Sequence, residues 1–103
     1  MAKGYWVALV DVTDAEGYKA YVAAVAKPLA RFGARFLTRG GASERPEGHL
    51  RSRIVVIEFP TYEAARTCYA SPEYAPVLAL RQGKALIDLA IVEGYDGPQP
   101  TDA

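Results

Sequence analysis

The chain has 103 residues, 50% of them hydrophobic and 23% charged, with twelve Lys and Arg balancing twelve Asp and Glu. That length fits one domain, whose folding takes roughly 65% of the unfolded chain's surface out of water. The neutral balance gives no field that draws the chain to nucleic acid or an anionic membrane, and the lone Cys68 excludes an intrachain disulfide or a cysteine metal cluster. Apolar stretches stop at about six residues, far short of a bilayer span. Met1 to Tyr5 lack the charged-then-apolar layout of a signal peptide, so a cytoplasmic location is expected.

In chain order, Tyr5 to Val12 is rich in aromatic and β-branched residues and predicts a strand. Thr13 and Glu16 have the T-x-x-E spacing of a capping box, in which each side chain satisfies a backbone donor at a helix start. Tyr18, Val22, Val25, Leu29 and Phe32 then follow at helical spacings on one stripe. Pro28 lacks an N–H and predicts a kink or division near Ala26 and Lys27, while Gly33 predicts the stop. Ala34 to Arg39 predicts a short second strand. Gly40 to Leu50, with three Gly, a Pro and several charges, predicts an exposed hairpin loop. Arg53 to Phe59 is a third strand, whose run Ile54-Val55-Val56-Ile57 points to burial on both faces. Pro60 ends it, and Thr61 caps a second helix from Tyr62 to about Ala70. Ser71-Pro72 repeats the start signal for a short helix through Tyr74, Val77, Leu78 and Arg81. Ala85 to Glu93 predicts the fourth strand, and residues 95–103 a flexible tail.

The order β-α-β-β-α-β defines one ferredoxin-like α+β domain over residues 1–94, with strands one and three central in a four-stranded antiparallel sheet. Helices cover only one face of such a sheet. Alternation turns Trp6, Ala8, Val10 and Val12, Val55, Ile57 and Phe59, and Ile87, Leu89 and Ile91 toward them. The other face then carries Val7, Leu9, Ile54, Val56, Leu86, Ala90 and Val92 beside the carboxylates Asp11, Glu58 and Asp88. So many aliphatic side chains on an open face predict a homodimer packed sheet to sheet. Carboxylates in that seam require a partly polar cavity, with Arg39, Arg53 and Arg81 as counter-charges.

Few residues suggest chemistry. His49 is the sole histidine and the first choice for a base near neutral pH, although it sits in the loop Glu44-Arg45-Pro46-Glu47-Gly48-His49, where solvation alone explains it. Arg39-Gly40-Gly41 reads as turn chemistry, or as backbone donors and a charge for an anion. Tyr69, Tyr74 and Arg81 follow the second helix and either pack there or put polar ends at a cavity mouth. Cys68 reads as a buried small hydrophobe. The sequence has no nucleophile elbow, phosphate loop or zinc signature, which argues against hydrolases, nucleotide-driven enzymes and zinc proteins of those designs.

The runs Gly4-Tyr5-Trp6-Val7-Ala8, Ala34-Arg35-Phe36-Leu37-Thr38-Arg39-Gly40-Gly41 and Ile57-Glu58-Phe59-Pro60 resemble one bacterial family, domain of unknown function 1330. So do Cys68-Tyr69-Ala70-Ser71-Pro72-Glu73-Tyr74, Arg81 and Ile91-Val92-Glu93-Gly94, and the likeness runs from about Gly4 to Gly94. It implies a dimeric α/β barrel, in which two ferredoxin-like subunits pack their sheets together. Superfamily relatives include cofactor-free monooxygenases, a lactone isomerase, haem-dependent dye-decolourising enzymes and stress-induced proteins. Fold alone assigns no reaction.

Two functions compete. In the first, the chain binds or converts a small organic molecule without a cofactor, in a pocket near the sheet. Arg39, Arg53, Tyr69, Tyr74 and Arg81 bind the ligand there, and Glu58 or His49 moves a proton. In the second, the dimer is a non-catalytic, stress-related or ligand-sequestering protein whose polar residues lock the interface. No metal is expected.

Overall fold

The computed structural model describes residues 2–102. Met1, and Ala103 at the end of the expected tail, lie outside the described residues. Strand β1 spans Gly4–Val12, helix α1 Ala15–Ala24, α2 Ala26–Arg31, β2 Arg35–Arg39, β3 Arg53–Phe59, α3 Tyr62–Ala70, α4 Ala75–Leu80 and β4 Ala85–Glu93. Pro100–Asp102 add a short 3-10 turn in the tail.

Local chemistry sets these boundaries. Pro28 has no N–H to offer the Ala24 carbonyl, and the stripe divides at Val25, which closes α1 and opens α2. The expected capping box does not form. Thr13 and Asp14 both donate their backbone N–H to the Lys84 carbonyl, at 2.9 and 3.0 Å. That contact holds the chain extended for one more residue. Asp14 therefore caps α1, its Oδ1 accepting from Gly17 N–H at 3.0 Å, and Glu16 turns outward to Lys19. Thr61 caps α3 as its sequence predicts. Ser71 does not open the last helix. Its hydroxyl donates to the Cys68 carbonyl at 2.7 Å and accepts from Tyr74 N–H at 3.2 Å, closing a turn that delays α4 to Ala75.

The sheet order is β2-β3-β1-β4 with every neighbouring pair antiparallel, so strands one and three are central. Register places Trp6 between Ile57 and Ile91, and Ala8 between Val55 and Leu89, all turned toward the helices. Trp6 is the centre of the core. Its indole N–H donates to the Ala65 carbonyl at 2.8 Å, and its ring lies 5.1 to 5.5 Å from those of Phe59, Tyr74 and Tyr69. A second, smaller cluster of Ala8, Val10 and Tyr18 lies under α1. At Gly4, an added Cβ would come within 2.6 Å of the Thr61 carbonyl and Tyr62 Cα, so glycine lets α3 start directly over β1.

Strand β2 is irregular. Between Phe36 and Thr38 the β2–β3 register shifts by a β-bulge, with Phe36 opposite Ile57 and Arg39 opposite Val55. Three residues apart, Phe36 and Arg39 would face opposite ways on a regular strand. The bulge turns both to the helix side. Thr38 repairs the ladder there, accepting from Val56 N–H at 3.0 Å and donating to the Ile54 carbonyl at 3.2 Å.

The opposite face has no helix over it. Val7, Leu9, Ile54 and Val56 are only partly covered within one chain, and Leu86 and Val92 remain 54% and 45% exposed.

Candidate ligand-binding site

A hollow lined by three arginines lies on the helix side of the sheet. Trp6, Ala8 and Val10, Val55 and Ile57, and Ile87 and Leu89 form an apolar floor, and Tyr18, Tyr21, Val22 and Val25 close over it. Phe36, Arg39, Arg53 and Arg81 complete the wall. The hollow spans about 500 Å³, partly open to solvent, of which about 50 Å³ admits the centres of water molecules. That is room for a few waters or one small group. The sheet-to-sheet seam was the expected place for a cavity, and this hollow lies across the sheet from it. The reason is on β1, where the small Ala8 between Trp6 and Val10 leaves room beneath α1.

Each arginine arrives by a different route. The bulge aims Arg39, strand alternation aims Arg53 opposite Val10, and Arg81 sits at the C-terminal cap of α4. Arg39 stacks its guanidinium 4.0 Å above the Phe36 ring, and Arg81 lies 5.5 Å from the Tyr21 centroid. No carboxylate lines the hollow, and among the described residues none of the ion pairs includes Arg39, Arg53 or Arg81. The Nε atoms of Arg53 and Arg81 are buried without any hydrogen-bond partner. An unsatisfied buried donor costs on the order of 1–3 kcal/mol, and more when charged.

The tyrosines answer this field as neutral donors. Burial pushes the Tyr18 phenol above its ordinary value, against a smaller pull from Arg53, Arg81 and Arg39. Burial, then the Tyr74 phenol, raises Tyr21 further, and the two hydroxyls share a hydrogen bond of 2.7 Å. Burial lowers Arg81, but the neighbouring Tyr74, Tyr21 and Tyr69 phenols outweigh it, and the guanidinium stays charged. Tyr74 thus backs Tyr21 from the core. Tyr69 packs on Trp6 and Tyr74 behind the wall, away from the hollow itself.

The remaining candidates stand elsewhere. Glu58 is on the open face, accepting from the Tyr5 hydroxyl at 3.5 Å and lying 3.9 Å from Lys3 Nζ. His49 is exposed beside a separate surface hollow lined by Leu9, Asp11, Leu50, Arg51 and Asp88. The structure therefore does not bring Glu58 or His49 to the arginines. Nor do Arg39, Arg53 and Arg81 neutralise the open-face carboxylates. Arg51 pairs with two of them instead, reaching Asp11 at 3.1 Å and Asp88 at 3.0 Å. Strand parity explains the exchange, because Arg53 shares the face of Val55 while Arg51 precedes the strand and folds back to the other. Burial raises the Cys68 thiol to about 11, so it stays protonated near neutrality, consistent with its place in the core. Among the described residues, no group of three or more His, Cys, Asp or Glu is arranged to hold a metal, and no helix is long and apolar enough to cross a membrane.

Tyr18, Tyr21 and Phe36 line the hollow although the sequence marks none of them as functional. Tyr18 lies on the apolar stripe with Val22 and Val25, and the one available signal was a phenol on each of two successive turns of that stripe.

The family model described as domain of unknown function (DUF1330) matches residues 3–95. No curated protein matches the chain. Among solved structures, a protein of unknown function from Rhodopseudomonas palustris superposes with a TM-score of 0.72 at 19% identity, over 93% of this chain and 85% of that one. SnoaB, a cofactor-independent oxygenase from Streptomyces nogalater, gives 0.63 at 16% identity, over 97% and 99%. A hypothetical Arabidopsis thaliana protein gives 0.66 at 12%, over 96% and 94%. At such identities these likenesses establish the fold, a ferredoxin-like α+β unit, and no activity.

The open-face network carries a pH signature. Asp11 accepts from the Ser52 N–H and hydroxyl, both at 2.9 Å, and from Arg51. The Ser52 bonds chiefly, with Arg51, hold its carboxyl below the ordinary 3.8. A lowered folded pKa stabilises the fold fully above the unfolded value and loses that effect as pH falls through the folded one. In urea unfolding at fixed protein concentration, the gap between wild type and Asp11→Asn should stay constant above about pH 5 and shrink progressively below pH 4. A gap that does not change with pH would remove Asp11 from this role.

Proposed function

The chain belongs to the DUF1330 family, and from that premise we propose that its helix-side hollow binds a small organic anion with a flat, apolar body. The carrying observation is the convergence of Arg39, Arg53 and Arg81 on a site without a carboxylate. Charges near an apolar floor persist where something compensates them. At an effective dielectric near 20, one opposite charge at 4 Å is worth roughly 4 kcal/mol. The floor of Ala8, Val55 and Leu89 supports a planar hydrophobic body, and Tyr18, its phenol kept neutral by burial, lines the same hollow.

Conversion of the bound anion without a cofactor is the second reading. It draws support from the Tyr21–Tyr74 hydroxyl pair beside Arg81, a route for a proton, and from the fold shared with an oxygenase described as cofactor-independent. Glu58 and His49 lie across the sheet from the hollow and in this reading face a second copy of the chain. That copy covers the apolar open face, where Leu86 and Val92 are exposed. At about 25 cal/mol per Å², hiding such a patch is worth many kcal/mol before association costs.

Two measurements test this. In thermal melts against aryl and alkyl carboxylates paired with their neutral amides, acids should raise Tm by several degrees and the amides by little. Arg81→Gln should abolish the effect and Glu58→Ala preserve it; acids no better than their amides would sink the anion reading. Light scattering at micromolar concentration should give twice the 11.1 kDa of one chain, and a monomeric mass would leave the open face without its proposed cover.

A further inference from the structure

The loop after Arg39 contributes to the hollow in a way the charges alone do not reveal. Gly40 adopts φ +72°, and its N–H donates to the Ile54 carbonyl at 3.0 Å, pinning the hairpin end to β3. That N–H is consequently unavailable to an anion. A Cβ added at Gly40 would stand 2.7 Å from the Arg53 guanidinium carbon and 3.2 Å from its Cγ, and closest of all to a terminal guanidinium nitrogen. Gly41, next in the chain, would meet nothing within 4 Å. Gly48 has nearly the same backbone, at φ +76°, and also meets nothing. Of these three loop glycines, only Gly40 makes space for an arginine of the site.

We propose that Arg53 and Arg81 form an inner subsite for a carboxylate, one oxygen accepting from each buried Nε–H, and that Gly40 is the positioning residue that lets Arg53 occupy it. The inference rests on the hollow being an anion site and goes further by naming the group bound and the atoms that bind it. The two donors are the buried, unpartnered ones, while Arg39 is exposed at the rim on Phe36. They are therefore the inner pair. The space open to water in the hollow, about 50 Å³, is of the size of a carboxylate, and the apolar floor takes the remainder of the acid. Both Nε–H groups are buried, so each side chain turns toward the hollow for a carboxylate oxygen to accept its N–H at ordinary hydrogen-bond length, with no proton transferred. Lysine retains the charge but has no Nε–H on a rigid plane, so it does not reproduce this geometry.

The test measures affinity for benzoate and 2-naphthoate by calorimetry on the full chain. Arg53→Lys, Arg81→Lys and Gly40→Ala should each weaken binding tenfold or more. Gly48→Ala carries the same positive-φ strain on the same loop, and it should bind within threefold of wild type. Should Gly40→Ala fail to fold, the two lysine variants still decide the donor geometry. If wild type binds the acids and both lysine variants match it, the inner subsite is wrong while the anion site stands. If Gly40→Ala and Gly48→Ala bind alike, Gly40 has no positioning role. If wild type binds neither acid, the anion reading fails first and this inference with it.

Discussion

Two guanidinium Nε–H groups, on Arg53 and Arg81, are held against an apolar floor with nothing to accept them. Most buried donors in folded chains are satisfied, and a charged one left alone is costly. Here the cost is shared by separate pieces of chain that have no other reason to converge. Alternation along β3 brings Arg53, the end of α4 brings Arg81, and a bulge in β2 adds Arg39 at the rim. A fold optimised only for stability would place a carboxylate or an aliphatic side chain among them. This one places no carboxylate there.

The chain is neutral overall, yet its charges are sorted by the sheet. On the helix side three arginines meet no acid. On the open side Asp11 and Asp88 share Arg51, and Glu58 faces Lys3 and Tyr5. The open face thus pairs most of its charges within itself, with one carboxylate in excess, whereas no acid offsets the three guanidinium groups of the hollow. Net charge thus conceals the electrostatic character of the site, because the field that matters is local and set by parity along strands.

Much of the fold was legible because its signals are local. Strand ends at Phe59 and Glu93, the division forced by Pro28 and the cap at Thr61 each follow from neighbouring residues. The helix start at Asp14 was not, since a tertiary contact to Lys84 overrides the capping box. The candidate site was half legible. Arg39, Arg53 and Arg81 stand out as residues, and the parity that puts Val55 toward the helices puts Arg53 there too. Assigning them to the open-face acids set charge matching above parity. Arg39 was beyond that rule altogether, because no pattern in Phe36-Leu37-Thr38-Arg39 announces a bulge. The space above Ala8 was equally silent, being a property of how α1 sits over β1.

Nitrogen-15 spectra of arginine side chains observe the two Nε–H groups directly. On titration with an arylcarboxylate, the Nε–H signals of Arg53 and Arg81 should move downfield together and saturate, while that of Arg51 stays in place. Unmoved Arg53 and Arg81 signals in the presence of a bound acid, or movement confined to Arg51, would contradict the account.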